Sequence, residues 1–153
     1  MEAALGEATS IDASSVLAMH HALMEPSGDP RPGRWRTEEV RIGGSEIGPH
    51  RATFVPSRHD RCPAALDDQF AARSDLPVIL YVAVTHAQFE TMHPFTDGNG
   101  CSGPAIIHGM LRGVEVTEGV TVPLSAGLLT DTAGYFASLD AYRRGDGKRS
   151  CAV

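Results

Sequence analysis

Cysteine is scarce in this sequence, and Cys62, Cys101 and Cys151 are odd in number with no close spacing, which excludes a disulfide framework and a zinc knuckle. Positive charge is in deficit. There are 13 Lys+Arg against 19 Asp+Glu, a formal net charge of -6, so a surface that gathers nucleic acid by bulk attraction is excluded. No apolar run approaches the ~18 residues of a membrane span. The first residues, Met1-Glu2-Ala3-Ala4-Leu5-Gly6-Glu7, are acidic where a secretory signal would be basic and then apolar. Together these absences predict a cytoplasmic protein with reduced thiols and neither nucleic acid nor membrane as partner. Internal repeats and low-complexity tracts are also lacking. What is present is a globular balance, 42% hydrophobic and 21% charged over 153 residues, which suits one domain with one core.

Hydrophobic periodicity predicts mostly helices. Ser14 and Ser15 stand where they would cap a helix carrying Val16, Leu17, His20, Leu23 and Met24, which ends before Pro26. A loop punctuated by Pro and Gly follows, and Arg34-Trp35-Arg36 reads as packing with solvated charges. Val40-Arg41-Ile42, Gly43-Gly44 and a return arm Ala52-Thr53-Phe54-Val55 stopped by Pro56 read as a short edge hairpin. Cys62-Pro63 opens another helix, with Ser74 or Asp75 capping the next. Residues 76–92 are apolar on nearly every side, as in a helix buried inside a bundle. A second apolar stretch with Ile106, Ile107, Met110 and Leu111 is stopped by Gly113, and Thr130 or Asp131 caps a last helix bearing Tyr135, Phe136, Leu139 and Tyr142. The expected organisation is a leader over 1–15, one mainly α domain over 16–144, and a disordered tail over 145–153.

Chemistry concentrates between the two apolar stretches, in His93-Pro94-Phe95-Thr96-Asp97-Gly98-Asn99-Gly100. Two glycines let successive N–H groups converge, and the following helix adds the positive end of its dipole, which makes a nest for an anion such as phosphate. Asp97 would repel a bare phosphate, yet it suits a magnesium ion that bridges phosphate oxygens. His93 would take a proton from an incoming hydroxyl, with Pro94 fixing the backbone that aims it. Phe95 reads as the anchor of the loop in the core. His86, two turns earlier, reads as a satisfied core histidine, and the spacing of His86, His93 and His108 matches no zinc pattern.

This segment resembles the signature loop of the Fic family, His-Pro-Phe-x-Asp/Glu-Gly-Asn-Gly-Arg-x-x-Arg, and matches its first eight positions. The surroundings are similar too: Gly33-Arg34-Trp35-Arg36, Ile42-Gly43-Gly44, Phe54-Val55-Pro56 and His86-Ala87-Gln88-Phe89-Glu90. The resemblance implies a helical bundle with a small β-hairpin flap, and transfer of AMP from ATP to a Ser, Thr or Tyr hydroxyl of a target protein. It makes His93 the general base, Asp97 the ligand of Mg2+, and Gly98, Asn99 and Gly100 the phosphate cradle. The target would lie as an extended strand along the flap at Ile42, Gly43, Gly44, Thr53 and Phe54, held by main-chain hydrogen bonds.

The departures from the pattern bear on activity. Cys101 and Pro104 replace the two arginines that in the family hold the distal phosphates of ATP. Two charge-assisted contacts are lost, each about 1.5–3 kcal/mol. Pro104 also withdraws a backbone N–H, from the first helical turn if the helix begins late enough. Cys101 reads as a small neutral replacement rather than a thiolate nucleophile. No Ser or Thr precedes a Glu at the spacing of the family's inhibitory helix, and the region like the family's last helices ends abruptly, as in a truncated copy. Two functions remain open on the sequence: a weakened nucleotidyltransferase, or a non-catalytic module that binds a protein strand or a nucleotide.

Overall fold

A computed structural model describes residues 11–28, 31–43, 54–70, 76–117 and 122–146. Six α-helices form among them: α1 (Ala13–Met24), α2 (Cys62–Phe70), α3 (Val78–Met92), α4 (Asn99–Gly113), α5 (Leu124–Thr130) and α6 (Thr132–Arg143). Short 3-10 turns at Glu25–Ser27 and His59–Arg61 extend α1 and lead into α2.

Helix α3 is the hub, packing on α2, α4 and α6, while α1 closes the far side against α4 and α2. Its core face carries Val82, Thr85, Phe89 and Met92 at helical spacing. The other end reaches the surface, where Ile79 is 65% exposed, so the all-round apolar character of 76–92 does not mean all-round burial. Helix α4 is buried along most of its length, and its small residues let neighbours close in. At Gly109 a Cβ would stand 2.5 Å from Ile11 Cδ1, so Ile11 belongs to the core although it precedes α1.

The capping residues differ in part from the expectation. Asp12, not Ser14 or Ser15, caps α1: its Oδ1 accepts from the Ser15 N–H at 2.7 Å and also from both serine hydroxyls. Those bonds hold the Asp12 carboxyl below its ordinary range. Asp131 caps α6 as expected, accepting from Gly134 N–H at 2.9 Å. Helix α3 has Pro77 at its N-cap and no side-chain cap, and Ser74 and Asp75 lie outside the described residues. Gly113 is the last residue of α4, and Val114 is its C-cap.

The hairpin flap is not formed as two strands among the described residues. What is present is one antiparallel bridge, with Ile42 N–H donating to Phe54 O at 3.0 Å and Phe54 N–H to Ile42 O at 3.1 Å. The chain bends at Gly43, whose φ is 67°, and on the other side Pro56 has no N–H to extend the ladder. Gly44 and Thr53 lie outside the described residues.

Candidate active site

Helix α3 ends because Pro94 disfavours the helical conformation in the residue before it. His93 turns left-handed at φ 49° and ψ 61°, an arrangement that costs about 1–2 kcal/mol for a side chain other than glycine. Arg36 supplies the compensation. Its side chain is buried at 3% exposure, and its Nε donates to His93 O at 2.8 Å while Nη2 reaches Met92 O at 3.3 Å. The same guanidinium donates to the carbonyls of Glu38 and Ser57, and the Arg36 backbone N–H donates to Pro94 O at 2.9 Å. Arg36 is therefore no solvated charge, as the sequence suggested, but a cation spent on the C-terminal carbonyls of α3, where the helix dipole favours it. The Cys62 thiol lies 3.7 Å from Nη2, and burial pushes its pKa up.

A second lock comes from His20, buried on α1. Its Nδ1 accepts from the Gly33 N–H at 2.8 Å, so the ring carries its proton on Nε2 and donates to Asp97 O at 3.1 Å. The ring stacks on Phe95 at 3.7 Å between centroids, and Trp35 stacks on Phe95 at 5.1 Å. Inside the loop, the Asn99 side chain holds both sides of one peptide residue, accepting from Phe95 N–H at 3.0 Å and donating to Phe95 O at 2.9 Å. Gly98, at φ 76°, is the N-cap of α4. A Cβ there would meet Met24 Sδ at 2.5 Å, so both conformation and space call for glycine.

The first N–H groups of α4 divide into two sets. Those of Cys101 and Ser102 turn back to Gly98 O at 3.2 and 3.0 Å. Those of Asn99 and Gly100 have no acceptor among the described residues, as the geometry of a helix start leaves them. Gly100 is exposed and borders a cavity of about 660 Å³ enclosed by α3, α4, α5, α6 and the Ile42 bridge. His93 opens on the same cavity. Burial and the positive charge of Arg36 lower its pKa to about 4, so its imidazole is neutral at physiological pH. Its Nδ1 makes no hydrogen bond among the described residues.

Glu90, His86, Tyr135 and Arg143 line the same cavity. Burial raises the Glu90 carboxyl to about 7 and lowers His86 to about 4. His86 Nε2 pairs with the Tyr135 hydroxyl at 3.1 Å, and burial also raises the pKa of that phenol. Leu128, Leu129 and Phe136 add an apolar part to its lining.

A comparison with protein-family models matches residues 10–111 to the Fic/DOC family. The chain belongs to that family. Among solved structures, a Fic family protein from Desulfovibrio desulfuricans G20 superposes with a TM-score of 0.75 at 25% identity, covering 94% of this chain and 43% of that one. Fic-1 from C. elegans follows at a TM-score of 0.64 and 23% identity, covering 92% of this chain and 38% of that one. The chain thus spans less than half of either structure it resembles. A search of the curated proteins finds no match.

Of the positions that carry the Fic motif here, His93, Gly100 and Pro104 line one cavity together with Ile42 and Gly43 of the flap region. Asp97 is exposed at the outer turn of the loop, its Oδ1 accepting from Gly98 N–H at 2.7 Å. The Asn99 side chain is committed to Phe95, and its backbone N–H has no acceptor among the described residues. Phe54 lies beneath the Arg143 guanidinium, 4.0 Å from carbon to ring centroid. Because α4 begins at Asn99, Pro104 falls beyond the first turn. The N–H it lacks would have met Gly100 O, so the N–H groups of Asn99 and Gly100 are unaffected by the proline. No group of three or more His, Cys, Asp or Glu poised to hold a metal occurs among the described residues. No helix there is long and apolar enough to cross a membrane. Sequence reasoning missed Arg36, His20, Glu90 and Arg143 as parts of the site. An arginine flanking the only Trp, with no acid beside it in sequence, was the available hint for the first.

Proposed function

We propose that this Fic protein binds ATP in the 660 Å³ cavity and transfers AMP to a hydroxyl of a target protein, at a rate reduced by the loss of both motif arginines. The observation that carries this reading is a neutral His93 imidazole lining the same cavity as the exposed Gly100 with its free N–H. In the reaction, the target hydroxyl oxygen attacks the α-phosphorus, the bond from that phosphorus to the pyrophosphate oxygen breaks, and His93 takes the hydroxyl proton. A base with a pKa near 4 is always deprotonated but pulls weakly, so its value lies in position more than in strength. The Asn99 and Gly100 N–H groups would meet phosphate oxygens where charge develops. The apolar wall of Leu128, Leu129 and Phe136 would receive the base.

Asp97 fits a magnesium ion in one respect. Its Oδ2 has no partner among the described residues, and one exposed carboxylate suffices for an ion that completes its shell with phosphate oxygens and water. Such an ion would offset the charge of the leaving phosphates. A target segment in extended form would pair beside the Ile42–Phe54 bridge, presenting its hydroxyl to His93.

The test is transfer of label from ATP carrying radioactive α-phosphate onto protein in the presence of magnesium. His93→Ala should abolish transfer while calorimetry still detects ATP binding. Binding by the natural chain without transfer would favour the second reading, a non-catalytic nucleotide- or strand-binding module, for which the replacements at Cys101 and Pro104 speak. Absence of heat at millimolar ATP would end the nucleotide reading altogether.

A further inference from the structure

The cavity beside His93 contains a cation that the motif does not supply. Arg143 projects from the last turn of α6, its side chain 10% exposed, and it lines the cavity together with His93, Gly100 and Pro104. Its donors are poorly used. Nη1 stands 3.3 Å from Asp140 Oδ1 and Nη2 stands 3.5 Å from Glu90 O, both longer than the roughly 2.7–3.2 Å of a good N–H···O bond. Nε is buried with no acceptor among the described residues. The Phe54 ring covers one face of the guanidinium at 4.0 Å, which removes water from that face and leaves the donor edge. An arginine held in this way is under-satisfied until an anion arrives.

We propose that Arg143 is a phosphate-binding residue of this cavity, meeting from α6 the distal phosphates of the nucleotide in place of the motif arginines replaced by Cys101 and Pro104. The proposal rests on the nucleotide-transfer reading given above. Other arginines are less suited. All three nitrogens of Arg36 donate to backbone carbonyls. Arg58 pairs with Asp60 at the surface, and Arg112 is twelve positions from Gly100 along α4, about 18 Å away. Arg143 instead lines the same cavity as the N-terminal end of α4, where the free Gly100 N–H and the helix dipole already favour negative charge. Two carboxyl groups border the same space. Asp140 competes for the guanidinium, whereas burial raises Glu90 to about 7, which keeps much of its charge suppressed near neutrality.

Calorimetric titration of the full chain with ATP and, separately, with adenosine, both with magnesium present, tests the assignment. The natural chain should bind ATP more tightly than adenosine. Arg143→Gln should weaken ATP binding roughly ten- to a hundredfold and leave adenosine binding within about twofold, with Arg143→Lys in between. Asp140→Asn, a half-exposed position, should strengthen ATP binding a few-fold, and that gain should disappear when combined with Arg143→Gln. Equal ATP affinity in Arg143→Gln would overturn the assignment, as would parallel loss of ATP and adenosine, which marks a purely structural role. Should Arg143→Gln not fold, a lack of any gain in Asp140→Asn overturns it as well. A natural chain that binds ATP more tightly than adenosine, with that preference kept in Arg143→Gln, refutes the role of Arg143 alone. One that binds the two equally refutes the phosphate contacts of Asn99 and Gly100 as well, and one that binds neither refutes the nucleotide reading.

Discussion

Glu90 and His86 are brought against α4 by a single glycine. A Cβ at Gly103 would stand 2.6 Å from Glu90 Oε1 and 2.9 Å from His86 Cε1, so a side chain there would displace the Glu90 carboxyl and the His86 ring. The closeness has a titration consequence. Folded Glu90 titrates near 7 against an ordinary 4.5, so between those values the folded chain keeps a proton that the unfolded chain has lost, and this stabilisation disappears as pH rises through the window. His86 and His93 behave oppositely. They titrate near 4 against an ordinary 6.5, so their contribution is lost as pH falls from 6.5 towards 4. Glu90→Gln removes the first effect and leaves the second. Its stability relative to the natural chain should therefore improve from pH 5 to pH 7.5, read from urea unfolding at each pH, and a difference constant with pH would refute the protonated carboxyl. At this scale the contiguous motif was legible: His93, Asp97 and the glycines announce themselves within eight positions. Arg36 is 57 positions from the His93 carbonyl it holds, and His20 is 77 from that of Asp97, so no local pattern reveals either.

Among the elements, α1, α2, α4 and α6 were readable from period and caps and α3 from its apolar length, with the cap of α1 shifted to Asp12 because Ser14 and Ser15 lie inside the helix and their hydroxyls donate to the Asp12 carboxylate. Helix α5 was not foreseen. Seven residues long, with Gly127 in its middle and no buried side chain, it carries no apolar stripe to detect. Of the expected hairpin, the described residues hold one antiparallel bridge, Ile42 to Phe54, and the turn between them lies outside those residues. Helix α4 contains the clearest local cost, Pro104 within its body. The missing N–H and the ring's clash with the Gly100 carbonyl oppose the helix, although the exposure of Gly100 lets water serve that carbonyl. Pro104→Ala should raise stability by roughly 1–3 kcal/mol, seen as a higher urea midpoint with unchanged slope. An unchanged midpoint would mean that the helix has already absorbed the proline.

For the whole molecule, the helices of the Fic fold border a cavity of about 660 Å³, and the chain spans 43% of its Desulfovibrio relative. The motif loop is joined to this architecture through Arg36 and His20, which tie it to the 33–38 segment, to Ser57 and to α1. A loop fastened at so many separate places has no independent way to open. The amides of Gly33, Arg36 and Phe95, whose acceptors are His20 Nδ1, Pro94 O and Asn99 Oδ1, should then exchange with deuterium at one shared free energy close to that of global unfolding. Faster exchange at Phe95 alone would show a detachable loop. If the shared value is found, a substrate arrives at a surface already set, and whatever limits turnover lies in its own docking rather than in any rearrangement of the host.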